Sequence, residues 1–388
     1  MASGAARYAA PFVVCAAALC QVLPAWAQGP SERHHGGFWS DPKSDTRRRF
    51  DFLQKDADIA KRLDKLPPRE KQGVDAMRRM VIAGLSNSFV AREVSLSASG
   101  RETEQWIRWN PQRGLRRESI RPNPGEVWLD NFDKAYTFQP REKRWQMRDT
   151  LLPRPQGRVG DVMRRLFKGE LRATVEGQDT IAGRACDIVR VGPPENAAQT
   201  GVPSRRFWID RATGLRLKME EVTPNGRVLS SSYLLSLDTH PNFRPDDFTA
   251  PKEAVPMEEG LHGRRRTYKS YAEAAGEGVP LRQPAYLPTG FALRQVEVFG
   301  KDKGRPLVTQ RFANGLTVLS LMQAPVGVVP PPPPVAGRIG NGPQAGAFLA
   351  GPRGGGERAY LWNDGGFSYA LLGNLSDDEM KRIAASVR

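Results

Sequence analysis

The stretch from Arg206 to Leu237 constrains the fold more than any other part of this 388-residue chain. Two turn signals divide it into three segments. Residues 210–214 are turn formers that end in glycine, and Asn225-Gly226 predicts a two-residue hairpin turn with positive φ at both residues. Between the turns, apolar and charged residues alternate with the period of two typical of a strand that has one wet face. The stretch therefore predicts an antiparallel three-stranded meander.

Helical patterns and a longer run of predicted strands precede the meander. Helical spacing of apolar residues between 69 and 85 predicts a first helix, and residues 159–166 predict a short amphipathic helix. Segments bounded by Gly, Pro, Asn and Asp predict six strands within 88–148, and two more strands follow at 171–176 and 184–192. This spacing is typical of an antiparallel sheet with short turns.

The predicted strands between 88 and 148 are rich in aromatic residues, and alternation puts Trp106 and Trp109 on opposite faces. A sheet that is apolar on both faces needs cover on both, from helices or from a ligand. Two interpretations follow: all these side chains pack a core, or some of them line an apolar cavity for lipid. The candidate cavity residues are Trp106, Trp109, Trp128, Tyr136, Phe138, Trp145, Met163 and Leu166.

The first 27 residues have the pattern of a signal peptide. Arg7 supplies the positive charge, residues 11–23 form an apolar run too short to span a membrane, and Ala-Trp-Ala at 25–27 is a cleavage site. We therefore expect a periplasmic protein whose mature chain begins at Gln28. An uncleaved membrane anchor is the alternative.

The net charge restricts the classes of partner. The chain carries a formal charge of +16, and cleavage would remove one positive residue, Arg7, to leave +15. A basic exported protein meets anionic lipid, lipopolysaccharide or acidic protein segments, whereas export removes nucleic acid from its partners. A solvated basic surface with no specific partner is the alternative. Cys186 alone remains after cleavage, and its strand context predicts a small buried residue.

Changes in composition divide the chain into domains. Residues 252–267 are charged and contain proline and glycine, which predicts a linker. Downstream, Ala313-Asn-Gly predicts a hairpin turn, and Ser376 with Glu379 predicts a capping box that starts a terminal helix. The predicted divisions are a signal peptide at 1–27, a polar arm at 28–68, a first domain at 69–251, the linker at 252–267 and a second domain at 268–388.

Motifs of catalysis are missing from the sequence. It contains no Gly-x-Ser-x-Gly, His-Glu-x-x-His, Walker or dinucleotide-binding pattern. The chain has four histidines, and two of them are adjacent near the N-terminus with no third ligand nearby. We therefore predict a protein that is not an enzyme, with no catalytic residue, no cofactor and no metal site.

The meander and several later motifs resemble a known superfamily. They are similar to the closing hairpins and tail of the lipoprotein-carrier fold, which includes the LolA and LolB carriers and the RseB/MucB regulators. Two motifs near residue 300 resemble the C-terminal domain of those regulators. The motifs are Trp-Ile-Asp at 208–210, Ala-Thr-Gly-Leu at 212–215, Pro-Asn-Gly at 224–226, Asp-Asp-Phe-Thr-Ala-Pro at 246–251, Leu-Pro-Thr-Gly-Phe at 287–291 and Asn-Gly-Leu at 314–316.

The resemblance implies a fold and two competing functions. The fold is α+β: a half-open antiparallel β-barrel with helices, plus a smaller C-terminal α+β domain with an antiparallel sheet. An RseB/MucB-like regulator would bind the extracytoplasmic part of an anti-sigma factor and sense envelope lipid, lipopolysaccharide or lipoprotein acyl chains. The alternative is a periplasmic lipoprotein or lipid carrier of LolA type, and a structural envelope protein with a filled core is a third interpretation. The two-domain order favours the regulator.

Overall fold

The fold is taken from a computed structural model that describes two compact units. The described residues of the first unit lie within 61–194 and 204–256, and those of the second lie within 201–203 and 265–388. The predicted signal peptide, most of the predicted arm and the five prolines at 330–334 lie outside the described residues. The structure describes residues 61, 63–97, 100, 102–150, 160–194, 201–256, 265–278, 280–300, 306–326, 346–350 and 358–388.

A 12-stranded sheet forms the frame of the first unit. Its strands are β1 (Phe89–Leu96), β2 (Glu102–Asn110), β3 (Gly114–Arg121), β4 (Val127–Asp130), β5 (Lys134–Gln139), β6 (Arg144–Asp149), β7 (Arg172–Ile181), β8 (Arg184–Gly192), β9 (Ser204–Asp210), β10 (Arg216–Val222), β11 (Val228–Asp238) and β12 (Val255–Pro256). Their order is β12-β6-β5-β4-β3-β2-β1-β11-β10-β9-β8-β7. Among the described strands of this sheet, β6 and β12 pair in parallel and the other neighbours are antiparallel.

The predicted strands of this unit are confirmed, with one difference in length. Strand β7 continues to Ile181, beyond the predicted end at residue 176. A register shift between Val175 and Gly177 interrupts its pairing with β8. Because an extra residue at a bulge breaks the alternation of faces, the pattern in the sequence is lost where the strand itself continues.

The first turn of the meander forms as predicted. Gly214 has a φ of +76°, a value that favours glycine because it has no Cβ. The carboxylate of the buried Asp210 accepts hydrogen bonds from Thr213 N at 3.1 Å and from Arg184 Nη2 at 2.7 Å. The turn between β9 and β10 is therefore closed by a buried ion pair as well as by backbone geometry.

At the second turn, the prediction of positive φ at both Asn225 and Gly226 is wrong. Gly226 has a φ of +85°, whereas Asn225 is not among the residues with positive φ. The Gly226 N–H donates to the Thr223 carbonyl at 2.9 Å, so Pro224 and Asn225 are the central residues. Proline fixes its own φ near about −65°, which suits the first central position of an ordinary β-turn. The glycine that follows then takes the positive φ.

Helix α1 (Pro68–Ser86) packs against β7, β8 and β9. It begins one residue before the predicted start, because a proline at the first helical position lacks only an N–H that would have no partner there. Gly73 lies against the backbone of Ala173 in β7. The second helix, α2 (Gly160–Lys168), ends at Gly169, which has a φ of +69°. Within the described residues, no helix is both long and apolar enough to cross a membrane.

The sheet of the first unit is strongly curved at one end. Strands β7 and β11 are separated by β8, β9 and β10, which in a flat sheet would place them roughly 19 Å apart at about 4.8 Å per strand. Their Cα atoms instead approach within 8 Å at some residues. The strands from β7 to β11 therefore curl around a common axis.

A seven-stranded antiparallel sheet and two helices form the second unit. The helices are α3 (Tyr271–Ala275) and α4 (Asp377–Ala385). The strands are β13 (Arg265–Tyr268), β14 (Ala292–Phe299), β15 (Leu307–Ala313), β16 (Val318–Pro325), β17 (Ala347–Ala350), β18 (Arg358–Asp364) and β19 (Phe367–Gly373), in the order β13-β14-β15-β16-β19-β18-β17. The segment expected to be a linker, 252–267, thus includes β12 and the start of β13.

One face of this second sheet packs against α4. Met380 and Ile383 of the helix contact a cluster that includes Leu321, Tyr360 and Trp362 of the sheet. The predicted capping box is present in part: Ser376 Oγ accepts from Glu379 N at 3.3 Å. The Glu379 carboxylate, however, accepts from the Tyr286 hydroxyl at 2.8 Å. The Glu379 side chain therefore bonds to Tyr286 rather than to the N-terminus of its own helix, where the capping-box pattern places it.

Cys186 is a buried free thiol, as the sequence predicts. Its exposed fraction is 0%, and burial raises the pKa of the thiol. Because the thiolate is the reactive form, we expect no reaction with an aromatic disulfide reagent in native protein at neutral pH, and full reaction after denaturation. Absorbance of the released thiolate measures both. Rapid modification of native protein would contradict the burial.

Candidate functional site

Helix α1 defines one face of the 12-stranded sheet, which we call the helix face. Trp109 Nε1 donates to the Gly84 carbonyl of α1 at 2.9 Å, and Arg79 of α1 donates to Asp187 in β8 at 3.2 Å. Because side chains alternate along a strand and paired residues share a face, the register assigns every other position from these contacts. The other side of the sheet is called the opposite face.

The candidate cavity residues are not brought together on one face. Trp109 lies on the helix face, and so does its partner on β3, Leu115. Arg117 is two residues further along β3 and therefore shares that face, as does its partner Trp128 on β4. Met163 and Leu166 are buried in α2. By the same register, the opposite face carries Trp106, Tyr136, Phe138 and Trp145.

Most aromatics of the opposite face pack under a chain segment that follows β11. Tyr136 is buried with Leu129 and with Phe248 of that segment, and Trp145 packs against the same cluster. The rings of Phe138 and Trp145 are 5.2 Å apart. Trp106 differs from these residues, since 36% of its surface is exposed. Among these aromatics Tyr136 is buried, whereas Phe138 and Trp145 are half-buried.

Three arginines on the helix face form what we call the arginine cluster: Arg117, Arg205 and Arg216. Arg117 is on β3 opposite Ile107, Arg205 is on β9 opposite Glu221, and Arg216 is on β10 opposite Ile209. In a barrel with an apolar lining, aliphatic residues would occupy these three positions. The cluster therefore makes the middle of the helix face polar.

Two buried glutamates accompany the cluster. Arg216 Nη2 lies 3.6 Å from Glu93 Oε1, and Gln105 Nε2 donates to Glu93 Oε2 at 2.8 Å. Ser230 Oγ lies 3.5 Å from Glu221 Oε2. Glu93 and Glu221 are 6% and 5% exposed. Both carboxylates are thus buried, and each lies within hydrogen-bonding distance of a polar side chain.

Electrostatics link the three guanidinium groups. Burial lowers the pKa of Arg117, Arg205 and Arg216. Glu93 raises the pKa of Arg117 and Glu221 raises that of Arg205, while the positive charge of Arg216 lowers the pKa of both. Burial is the largest of these effects, and at Arg117 and at Arg205 the glutamate raises the pKa by more than Arg216 lowers it.

Arginines of the opposite face have a different environment. Arg116 Nε lies 2.7 Å from Glu118, and Arg206 Nε lies 2.8 Å from Glu176. Partly exposed pairs of this kind contribute about 0–1 kcal/mol each. The opposite face is therefore a solvated array of ion pairs in which these guanidinium groups are matched by carboxylates.

Comparison with known proteins relates the first unit to a family. Residues 80–254 match the model of the MucB/RseB N-terminal domain. Over these residues the chain is similar to a MucB/RseB N-terminal domain. The resemblance to the RseB/MucB regulators is thus confirmed, and the match includes the meander from which it was inferred. No curated protein matches the sequence.

Solved MucB structures are similar to most of the chain. A structure of MucB in complex with MucA(peri) is 16% identical and covers 81% of this chain and 98% of its own, with a TM-score of 0.56. The Pseudomonas aeruginosa MucA/MucB complex is 16% identical and covers 82% and 98%, with a TM-score of 0.57. A LolA superfamily protein from Nitrosomonas europaea is 11% identical over 46% of this chain and 97% of its own, with a TM-score of 0.23. At these identities the MucB likeness shows the fold alone.

Two members of the arginine cluster could have been predicted from the sequence, although the aromatic residues form the more obvious pattern. Arg116-Arg117 and Arg205-Arg206 are adjacent pairs inside strands. Alternation sends one member of each pair to each face, so one arginine of each must face the covered side. Arg216 has no such signal, because a register shift follows it.

Proposed function

We propose that this chain is an exported binding protein, without catalytic activity, that holds the extracytoplasmic segment of an anti-sigma factor and senses envelope lipid. The observation that carries the proposal is the MucB/RseB N-terminal domain at residues 80–254. The MucB structures similar to this chain span both of its units and were solved as complexes with MucA. The family resemblance implies that such a partner is an anti-sigma factor.

The finer architecture belongs to the same proposal. A half-open barrel in the first unit is supported by the approach of β7 to β11 across three intervening strands. The second unit would be the smaller C-terminal domain that accompanies the barrel in regulators. We place the protein in the periplasm, after removal of residues 1–27, because of the signal-peptide pattern in the sequence.

Charge indicates the chemistry of the partner. The full chain has a net charge of +16, so an acidic partner segment would associate faster and bind with an affinity that falls as salt rises. Lipid would then act by binding one conformation better than another, since a ligand shifts an equilibrium only through differential affinity. Competition between lipid and the partner segment is the expected result.

A lipoprotein carrier of LolA type is the second candidate function. Burial of an acyl chain contributes about 0.8 kcal/mol per CH₂ only where the lining is apolar. The buried Glu93 and Glu221 and the arginine cluster occupy the middle of the helix face. This charged lining favours a partner or ligand with polar groups over a carrier that encloses acyl chains alone.

Binding of the anti-sigma factor is tested with purified full-length exported protein and the periplasmic segment of an anti-sigma factor from the same organism. We expect saturable binding by interferometry that weakens when salt is raised from about 10 mM to about 150 mM, which shortens the screening length from roughly 30 Å to about 8 Å. The matched control is the same segment with its Asp and Glu replaced by Asn and Gln. An acylated phospholipid should release the bound segment.

Two results would contradict the proposal. The first is the lack of saturable binding to the segment at low salt. The second is uptake of mature lipoproteins by the protein and their transfer to a membrane receptor, because that activity belongs to a carrier. Binding that is equally strong to the neutralised segment would refute the electrostatic part alone.

A further inference from the structure

The connection between β8 and β9 is longer than the pairing of the two strands requires. They pair antiparallel, and two residues are enough to join such a pair, whereas residues 193–203 lie between Gly192 and Ser204. The last three of these residues, Gly201, Val202 and Pro203, belong to the second compact unit. The chain thus contributes a segment to the second unit before it returns to begin β9.

Val202 is part of the core of the second unit. Its exposed fraction is 4%, and it lies in the cluster of buried residues that includes Phe291, Met380 and Ile383. Pro203 is buried as well. Connecting segments normally run over the surface, because their backbone polar groups need water. Burial of an apolar loop residue with side chains of α4 therefore indicates that the loop has a structural role in this unit.

Gly201 fits closely against the start of α4. A Cβ at this position would lie 2.6 Å from Ser376 Oγ, 3.3 Å from Ser376 Cβ and 3.1 Å from Glu379 Cγ. Ser376 is not free to turn away, because its Oγ accepts from the Glu379 N–H and caps the helix. The φ of Gly201 is +65°. The position therefore favours glycine both for its backbone conformation and for the lack of room.

The link from this contact back to β9 is short and stiff. Only Pro203 separates Val202 from Ser204, which pairs with Val222 of β10. Ser204 is buried, and its hydroxyl accepts from Arg190 Nε at 3.2 Å. Proline fixes its own φ and restricts the residue before it to extended conformations. The link therefore has few torsions with which to absorb a displacement of Val202.

We propose that residues 201–203 form an anchor that completes the core of the second unit at the N-terminus of α4. The stability of α4 then depends on a segment that lies far from it in the chain, and opening of the anchor loosens both α4 and the start of β9. The anchor goes beyond the proposed function, because it does not depend on what the protein binds.

An engineered disulfide tests the contact in the purified exported protein. The Cβ atoms of bonded cysteines lie about 3.5–4.5 Å apart, close to the 3.3 Å between a Cβ at Gly201 and that of Ser376. Gly201→Cys with Ser376→Cys should therefore form a crosslink under mild oxidation, read by mass spectrometry of non-reduced peptides. Gly278→Cys with Ser376→Cys is the matched control, because Gly278 has a φ of +67° and a Cβ there meets nothing within 4 Å. This second pair should stay reduced.

Hydrogen exchange measures whether the anchor stabilises α4. Val202→Ser should speed exchange of the α4 amides about tenfold or more, because it places a polar group in the core. Val326→Ser is the matched control in the same unit, since Val326 is 56% exposed, and it should leave this exchange unchanged. The crosslinked protein provides the opposite test if Val202→Ser does not fold. Exchange in α4 and at residues 204–206 should be slower in its oxidised form than in its reduced form.

Three results would overturn the anchor. They are equal crosslinking of the two cysteine pairs, equal exchange of α4 in the two serine variants, and exchange in α4 and at 204–206 that oxidation of the crosslink leaves unchanged. Neither a partner segment nor lipid is present in these measurements. Failure of the anchor and failure of anti-sigma factor binding are therefore distinguishable.

Discussion

Gly73→Ala is expected to destabilise the first unit by about 3 kcal/mol. A Cβ at this position would lie 2.6 Å from the carbonyl carbon of Ala173 and 2.9 Å from Thr174 N, and it would clash with the Ala173 carbonyl oxygen as well. These are backbone atoms of β7, which cannot rotate away as a flexible side chain can. Helix α1 must therefore move away from β7, which loosens the helix that covers the helix face.

Gly84→Ala is the matched control in the same helix. A Cβ at Gly84 would meet nothing within 4 Å. Alanine favours helix over glycine by about 0.8–1 kcal/mol, so this variant should be slightly more stable than wild type. Urea unfolding followed by tryptophan fluorescence measures both changes. Equal effects of the two substitutions would mean that Gly73 is not in close contact with β7.

Asp210→Asn is expected to cost about 2–3 kcal/mol at neutral pH. The Asp210 side chain is 2% exposed, and it accepts hydrogen bonds from Arg184 and Thr213 at the turn between β9 and β10. Asparagine removes the charge and leaves the Arg184 guanidinium without its carboxylate. The substitution should therefore open the first turn of the meander.

The cost of this substitution should depend on pH. Burial raises the pKa of Asp210, but hydrogen bonds from Arg184 and Thr213 outweigh it, so the folded-state pKa is below the ordinary value. A carboxylate of this kind contributes stability that is fully present above the unfolded pKa of about 3.9 and is lost as pH falls through the folded pKa. The difference between wild type and Asp210→Asn should thus be largest near neutral pH and should narrow below about pH 4.

Denaturant unfolding at several pH values measures this difference. Asp64→Asn is the matched control, because Asp64 pairs with Lys71 at 3.4 Å and their side chains are 76% and 54% exposed. An exposed pair of this kind contributes about 0–1 kcal/mol, so the control should be close to wild type. A cost at Asp210 that stays constant down to pH 3 would show that its charge is not what stabilises the turn.

The sequence was most informative where local chemistry decides the structure. The turn at 210–214, the strand limits from β1 to β6 and the end of α2 at Gly169 all follow from residues that act on their own backbone. Predictions failed where a residue outside the local pattern changed the conformation or the hydrogen bonding. Pro224 moved the positive φ onto Gly226 alone, and Tyr286 took the Glu379 carboxylate from the capping box.

The candidate site was harder to predict than the strands. Period-two alternation separates Trp106 from Trp109 in the sequence alone, because adjacent residues of a strand point to opposite faces. Alternation cannot say which face a helix covers, or that the segment after β11 covers Tyr136 and Trp145 on the other. The aromatic residues are therefore conspicuous in the sequence, whereas the charges of the helix face are not.

Turns, periodicity and short motifs are local properties, and they were enough to establish the antiparallel strands, the two flanking helices and the likeness to MucB/RseB regulators. The folded chain was needed to show that Arg117, Arg205 and Arg216, which come from three strands up to 99 positions apart in the chain, lie on the same face of the sheet. Which face they share depends on the strand order and register, and the contact between Gly73 and Ala173 places α1 against β7 of the same sheet. These contacts join distant segments, and no local pattern encodes them.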